Sequence, residues 1–333
     1  MALISVDHVC KEYIVHVQKP GIKNFFKNVF SPETKIITAV QDLSFQIEEG
    51  ELVGFIGENG AGKSTTLKMI TGILYPTSGS IHVANLEPYK NRKQTAEHIG
   101  VVFGQRSRLQ WDLPIMDSFE LYKEIYQIED DPFKNNVSRF IEMLDMERYL
   151  QTPVRQLSLG QRMKAEISLS MLHNPDILFL DEPTIGLDVL AKHQIRDFIK
   201  ERNRRFNVTT LLTSHDMKDL EEICDRLIIL SRGNLIFDGS IVDFKKIFSH
   251  ESVITITYNA QICETIELLD PRYQIFIIDS HHLSIKYDPH KISVAEIISK
   301  LNQTYQITDL SISHPDIEDM VRTIFQTQKQ ENV

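Results

Sequence analysis

The stretch Gly57, Glu58, Asn59, Gly60, Ala61, Gly62, Lys63, Ser64, Thr65 follows the apolar run Leu52 to Ile56 and precedes Leu67, Met69 and Ile70. That order predicts a strand, a glycine-rich loop and a helix. Glycines at 57, 60 and 62 let the backbone turn its N–H groups inward around a phosphate, and the helix beginning near Lys63 aims its positive end at the same anion. Lys63 reaches the β- and γ-phosphates as a point charge, the hydroxyl of Ser64 ligates the Mg²⁺ that bridges them, and Thr65 adds a further hydroxyl. The competing reading is an ordinary glycine turn. A buried strand before the loop and a helix after it weigh against that.

With 333 residues, 42% of them apolar, the chain has enough material for a full core and points to two domains rather than one. No apolar run reaches the roughly 20 residues of a bilayer span, and Asp7 and His8 so early do not fit a signal peptide, so a soluble, cytosolic chain is expected. Cys10, Cys224 and Cys263 stand singly, which indicates neither a disulfide framework nor a zinc site. A net charge of −10 counts against a chain that lives by gripping nucleic-acid backbone. The pair His281, His282 lacks acidic or thiol company at ligand spacing and reads as a solvated turn.

In chain order, Ile4, Val6, Val9 and then Tyr13, Val15, Val17 suggest two short strands, and Leu43, Phe45, Ile47 a third that leads into the loop's strand. Tyr13 offers a flat face to an adenine ring or simply fills core; both readings stand at this point. Ile22, Phe25, Phe26, Val29 and Phe30 recur at helical spacing between Pro20 and Pro32. With about three turns and few cations, this helix reads better as packed on its own domain than as a membrane-touching element. Ile81 and Val83 mark another strand, and Ile99 to Phe103 a buried one that ends at Gly104 and Gln105.

From Asp117 to about Leu172 the pattern is mostly helical, with Phe119, Tyr122, Ile125, Tyr126 and Phe140, Ile141, Leu144 as stripes. Within it, Gln156-Leu157-Ser158-Leu159-Gly160-Gln161-Arg162 is a polar break leading into a helix. Next come four apolar positions, Ile177 to Leu180, suited to a strand buried on both faces, then Asp181 and Glu182 where that strand emerges. There Asp181 can hold Mg²⁺ through its water shell and Glu182 can take a proton from an attacking water; the weaker competing reading is a turn with acidic surface residues. A further strand, Thr210 to Ser214, delivers His215 at its end.

Taken together, the glycine loop, Gln105, the Leu157–Arg162 phrase, Asp181-Glu182, Gly186-Leu187-Asp188 and His215 occur in the order found in ATP-binding cassettes, so residues 3 to about 240 closely resemble the nucleotide-binding subunit of an ABC transporter. The resemblance implies that Gly57 to Thr65 is the Walker A loop, Gln105 the Q-loop and a Mg²⁺ contact, Ser158 to Gln161 the signature, Asp181 and Glu182 the Walker B acids, Asp188 the D-loop and His215 the switch histidine. Tyr13 matches the family's adenine-stacking aromatic. Lys63, Glu182 and His215 are then the catalytic residues. Ser158, Gly160, Gln161 and Asp188 join the ATP-binding set, with Ser158 and Gly160 as the γ-phosphate contacts. Leu159 departs from the common glycine of the signature.

In that family the signature of one cassette faces the Walker A loop of another, and each motif occurs once here. A homodimer, or a pairing with a paralogous cassette, around two Mg·ATP is therefore expected, docked on an integral membrane permease at the cytoplasmic membrane face. Trp111, in the phrase that follows Gln105, stands where the family receives its permease, or packs in core. From about residue 252 the order is strand, helix (Ile262, Ile266, Leu269), strand, strand, helix, strand, the split βαβ arrangement, with a last helix on Ile317 to Phe325 begun by Ser313-His314-Pro315-Asp316. The expected fold is α/β: a P-loop NTPase cassette over 1–240 with an antiparallel β-subdomain and a helical subdomain at about 112–172, a linker at 241–251, and a ferredoxin-like α+β accessory domain over 252–333. The interruption after Tyr13, the phrase around Gln105 and this appendage resemble exporter cassettes of the type-2 class. An importer ATPase, and a soluble ABC switch acting on nucleic acid or ribosomes, are the alternatives.

Overall fold

The computed structural model describes residues 2–17, 33–104, 107–214, 216–248, 252–258, 272–279, 281–289, 291–302, 307–313 and 316–330. Gln105, His215, and the helices expected over Ile22–Phe30 and Ile262–Leu269 lie outside these residues. The chain divides into two compact units, Met1–Ile241 and Val242–Val333.

In the first unit, β1 (Ala2–Val17) pairs antiparallel with β2 (Glu33–Glu48) and β4 (Ser78–Val83) in the order β2-β1-β4. The two short strands expected at the N-terminus are one strand of 16 residues. Register shifts at Val6/Val9 and Val9/Lys11 displace the alternation, so the buried residues run Ile4, Val6, Val9 with an odd step that a period-two reading takes for a gap. A six-stranded sheet in the order β5-β6-β7-β3-β8-β9 stands against this layer. It comprises β5 (Ile99–Phe103), β6 (Ile177–Asp181), β7 (Thr209–Thr213), β3 (Leu52–Gly57), β8 (Arg226–Ser231) and β9 (Asn234–Ser240), parallel except at β9. Every residue of β3 is buried, as a central parallel strand requires. One core joins the sheets: Phe45 of β2 meets Phe55 of β3 with ring centroids 6.0 Å apart.

Helix α1 (Lys63–Ile70) follows the glycine loop, and α2 (Arg92–His98) precedes β5. The helical insertion consists of α3 (Ile115–Tyr126), α4 (Asp130–Leu144) and α5 (Leu159–Met171). Helix α4 buries Phe133, Val137, Phe140 and Leu144, a stripe at i, i+4, i+7 and i+11. In α3 the expected stripe holds at Phe119 and fails at Ile125, which is exposed. Helix α6 (Val189–Phe206) and the short α7 (Met217–Ile223) complete the unit. A helix, α8 (Ile241–Phe248), occupies most of the stretch expected as a linker.

The second unit is a four-stranded antiparallel sheet of β10 (Ser252–Tyr258), β11 (Tyr273–Ile277), β12 (His282–Tyr287) and β13 (Ile307–Ser313), with α9 (Val294–Asn302) and α10 (Ile317–Gln330). Its order, β11-β12-β10-β13, places the first strand of the unit between the third and the fourth, as the split βαβ pattern demands. Ile254, Ile256, Leu283, Ile285, Ile297 and Leu301 form its own core. The cap of α10 is Asp316, whose Oδ1 accepts from the Asp319 N–H at 2.9 Å. Ser313, expected to begin the cap, instead donates to the Val253 carbonyl within the sheet. His281 lies in the turn before β12 and His282 opens that strand; both backbone N–H groups donate to Asp279 Oδ1, and His282 Nδ1 lies 2.9 Å from the same oxygen, acidic company that the sequence reading did not find.

Candidate functional site

Parallel strands bring their carboxyl ends to one edge of a sheet, and the site gathers there. Phe103, Asp181 and Thr213 lie side by side in register at the ends of β5, β6 and β7, and β3 continues the row beside β7 before entering the glycine loop.

The loop is shaped by its own backbone. Ala61 N–H donates to the Glu58 carbonyl at 3.0 Å, and Gly62 adopts φ 101, where a Cβ would lie 2.6 Å from the Ala39 carbonyl oxygen. Only glycine fits that position. Because Gly62 caps α1 without a side chain and the first turn carries no acid, the N–H groups of Lys63, Ser64 and Thr65 have no acceptor within the helix. That donor set, at a helix N-terminus, fits the oxygens of a phosphate. The Lys63 ammonium folds back over the loop, donating to the carbonyls of Gly57 and, at 3.2 Å, of Glu58. Burial draws its pKa below the ordinary lysine value, and the nearby carboxylates of Glu182 and Asp181 oppose that shift. The structure thus brings Lys63, Asp181 and Glu182 into one electrostatic neighbourhood.

Glu182 stands in the left-handed region at φ 55, a strained conformation for a residue with a side chain. Its N–H is shared between the Thr213 carbonyl at 3.1 Å and the Thr213 hydroxyl at 3.0 Å. The same hydroxyl donates to Asp181 Oδ1 at 2.7 Å. Thr213 is therefore a residue at the candidate site that sequence reasoning missed; the signal for it was a hydroxyl closing the buried strand next to the acid pair. The Gly104 N–H donates to the Asp181 carbonyl at 3.0 Å, so the segment entering position 105 starts at the end of β6. On either side of position 215, Ser214 Oγ accepts from the Asp216 N–H, and Asp216 Oδ1 caps α7 through the Lys218 N–H.

A second group forms around α5 and α6. Ser158 caps α5 in a reciprocal box, its hydroxyl accepting from the Gln161 N–H at 3.2 Å while Gln161 Oε1 accepts from the Ser158 N–H at 2.9 Å. Asp188 caps α6 through the Ala191 N–H at 2.8 Å. A Cβ built on Gly160 would lie 3.1 Å from Ala191 Cβ, and one on Gly186 3.1 Å from Leu159 Cδ2. The Leu157–Arg162 phrase and the turn at Gly186–Asp188 are in contact. Their apolar members face outward: Leu159 is 39%, Leu190 68% and Val189 85% exposed.

Tyr13 is half-buried on β1, opposite Ile37, with the Lys11 ammonium 5.3 Å from its ring centroid. Trp111 is 53% exposed; the Arg162 guanidinium lies 5.9 Å from its ring, and its carbonyl accepts from the Arg155 N–H. Plain core packing does not describe it. Among the described residues, no group of three or more His, Cys, Asp or Glu side chains could hold a metal by itself. The oxygens expected from the sequence to hold a divalent cation, the Ser64 hydroxyl and the strand-end carboxylate of Asp181, would suit a cation arriving with phosphate oxygens.

Residues 40–185 match the family model described as ABC transporter. The chain is 34% identical over 212 residues to the ABC transporter ATP-binding protein NatA of Bacillus subtilis (strain 168), covering 64% of this chain and 86% of NatA. It is 30% identical over 251 residues to the methionine import ATP-binding protein MetN 2 of Enterococcus faecalis, covering 74% of this chain and 68% of that protein. Among solved structures, a dimer of the ATP-binding cassette MJ0796 bound to ADP and Pi superposes with a TM-score of 0.59 at 26% identity, covering 72% of this chain and 98% of the cassette.

Proposed function

The chain belongs to the ABC transporter family, and from that premise we propose that it is the ATP-hydrolysing subunit of a transporter, paired with a second cassette around two Mg·ATP and driving a separately encoded permease. The observation that carries this reading is the common neighbourhood of Lys63, Asp181 and Glu182 at the mouth of the glycine loop. Lys63 and the first-turn N–H groups of α1 hold the β- and γ-phosphates, and Tyr13 stacks on the adenine. Ser64, Asp181 and Gln105 would hold Mg²⁺, which would offset phosphate charge. Glu182, fixed by Thr213, accepts a proton from the attacking water, and His215 contacts the γ-phosphate side. Glu182→Gln should lower turnover by about 10²- to 10⁴-fold while sparing ATP binding. An unchanged hydrolysis rate in the purified variant removes Glu182 from this role.

Pairing is supported by the exposed apolar residues Leu159, Val189 and Leu190 beside Ser158, Gly160 and Asp188, a surface that a second copy would cover. Each site then joins Lys63, Ser64 and Glu182 of one subunit to the signature of its partner. The γ-phosphate favours the closed pair and hydrolysis withdraws that contact. Glu182→Gln protein with Mg·ATP should elute as a dimer; a monomer with bound nucleotide counts against the arrangement.

Export is the direction we propose, supported by the interruption after Tyr13, the phrase around Gln105 and the appendage over 252–333. That appendage, following the ATPase domain over 1–240, is assigned a dimer-supporting or regulatory role. Import is the second reading, favoured by the likeness to MetN 2, whose name states methionine import. Among the described residues no helix is long and apolar enough to cross a membrane, which accords with a subunit held at the cytoplasmic face by its permease. A mild-detergent pull-down from membranes tests both points. A co-purifying polytopic protein supports transport, dependence on a separate substrate-binding protein moves the reading to import, and ribosomes or DNA overturn it.

A further inference from the structure

Asp219, on α7, is 0% exposed, yet an acid in the run Lys218-Asp219-Leu220-Glu221-Glu222 reads as surface charge. Buried carboxylates persist when donors surround them. Its Oδ2 accepts from the Thr184 hydroxyl at 2.5 Å and lies 3.6 Å from the Lys192 ammonium. Its Oδ1 accepts from Arg196 Nε at 2.9 Å and from a second nitrogen of the same guanidinium. Lys192 also donates to Asp216 Oδ2 at 2.6 Å, and Arg196 to Glu222 at 2.5 Å.

The members of this network come from three places that matter. Thr184 sits two residues beyond Glu182. Lys192 and Arg196 lie on successive turns of α6, which begins at Asp188. Asp216 follows position 215 directly. The geometry points to Asp219 as a positioning residue for the ATPase reaction: it ties the turn after Glu182 and the helix after Asp188 to Asp216 and the start of α7, so that a shift of α6 when a second subunit docks is passed to the hydrolytic site. This rests on the ATPase reading above. Charge on both sides makes the tie stiff, and a misplacement of about 1 Å at such a site costs on the order of 10²-fold in rate.

Thr184→Val in the full chain tests the tie, because it deletes one hydroxyl and leaves every ion pair. Expected are a fall in kcat of about tenfold or more, an ATP KM unchanged within about twofold, a melting temperature close to wild type, and recovery of kcat in Thr184→Ser. Lys192→Gln, altering a partly exposed side chain, provides a second reading with the same expected split between kcat and KM should Thr184→Val fail to fold. Unchanged kcat in the folded variants overturns the proposal, as does an equal loss in both constants or a loss that Thr184→Ser does not restore. Wild type and Glu182→Gln run alongside separate the two readings. If wild type hydrolyses ATP, Glu182→Gln does not and the Thr184 and Lys192 variants match wild type, only the tie fails; a wild-type chain without ATPase activity overturns both.

Discussion

Glu182 shares its backbone N–H between the carbonyl and the hydroxyl of Thr213, and that hydroxyl passes its own proton toward Asp181 at 2.7 Å. One side chain on β7 therefore bonds both the acid that ends β6 and the acid that follows it. Removing the hydroxyl, as in Thr213→Val, takes one hydrogen bond from the half-buried Asp181 carboxylate and leaves the Glu182 N–H with the Thr213 carbonyl alone, at roughly 0.5–1.5 kcal/mol of stability. The expected outcome is a turnover lowered by about tenfold to a hundredfold, with Thr213→Ser near wild type. Steady-state ATPase and a thermal melt on the same preparations check it.

Lys63 is charged in a setting that burial makes unfavourable for charge. Lys63→Met should weaken nucleotide retention by at least about tenfold, since a charge-assisted contact is worth roughly 1.5–3 kcal/mol. The same substitution should leave the nucleotide-free melting temperature unchanged or raised, because the desolvation penalty disappears with the ammonium. Equilibrium binding of a fluorescent ATP analogue and a melt without nucleotide read the two effects separately.

His173 lies at the junction of the helical insertion and β6, its ring stacked 4.1 Å from that of Tyr126, with Nε2 3.2 Å from the Ile99 carbonyl oxygen. Burial lowers its pKa to about 4. An imidazole that resists protonation in the fold takes its proton only on unfolding, so its contribution is complete above the unfolded value of about 6.5 and is lost as pH falls toward 4. Stability of the wild type should drop through that window more steeply than that of His173→Gln, by about one proton's worth of slope. Denaturant titrations between pH 7 and 4.5 measure it.

Trp111 is exposed and leans on Arg162, one turn into α5. Trp111→Ala should change stability by no more than about 1 kcal/mol, as a surface site allows, and leave the basal ATPase of the isolated subunit near wild type. In the assembled transporter it should remove the link between substrate and hydrolysis. An unfolded variant would return Trp111 to a packing role.

The glycine loop was legible because everything that defines it is local: glycine spacing, a strand before, a helix after. The acids at 181 and 182 were legible for the same reason, following an apolar strand directly. Thr213 and Asp219 were not, because their partners lie 32 and 35 residues away in the contacts with Asp181 and Thr184, and only strand register and helix docking bring them together. The N-terminal strand was misread where bulges break a period of two. In the second unit the order of strands was readable from alternation. The cap of α10 fell on the residue nearest the helix rather than the one that completed a four-residue motif.

Leu159 presses close on the place a side chain at Gly186 would take, its Cδ2 3.1 Å from where that Cβ would sit. The two turns draw on one allotment of volume, so bulk gained at the first must be surrendered at the second. A side chain at 186 would crowd Leu159 and would do so at a backbone angle that larger residues resist, so leucine at the first turn and glycine at the second belong together.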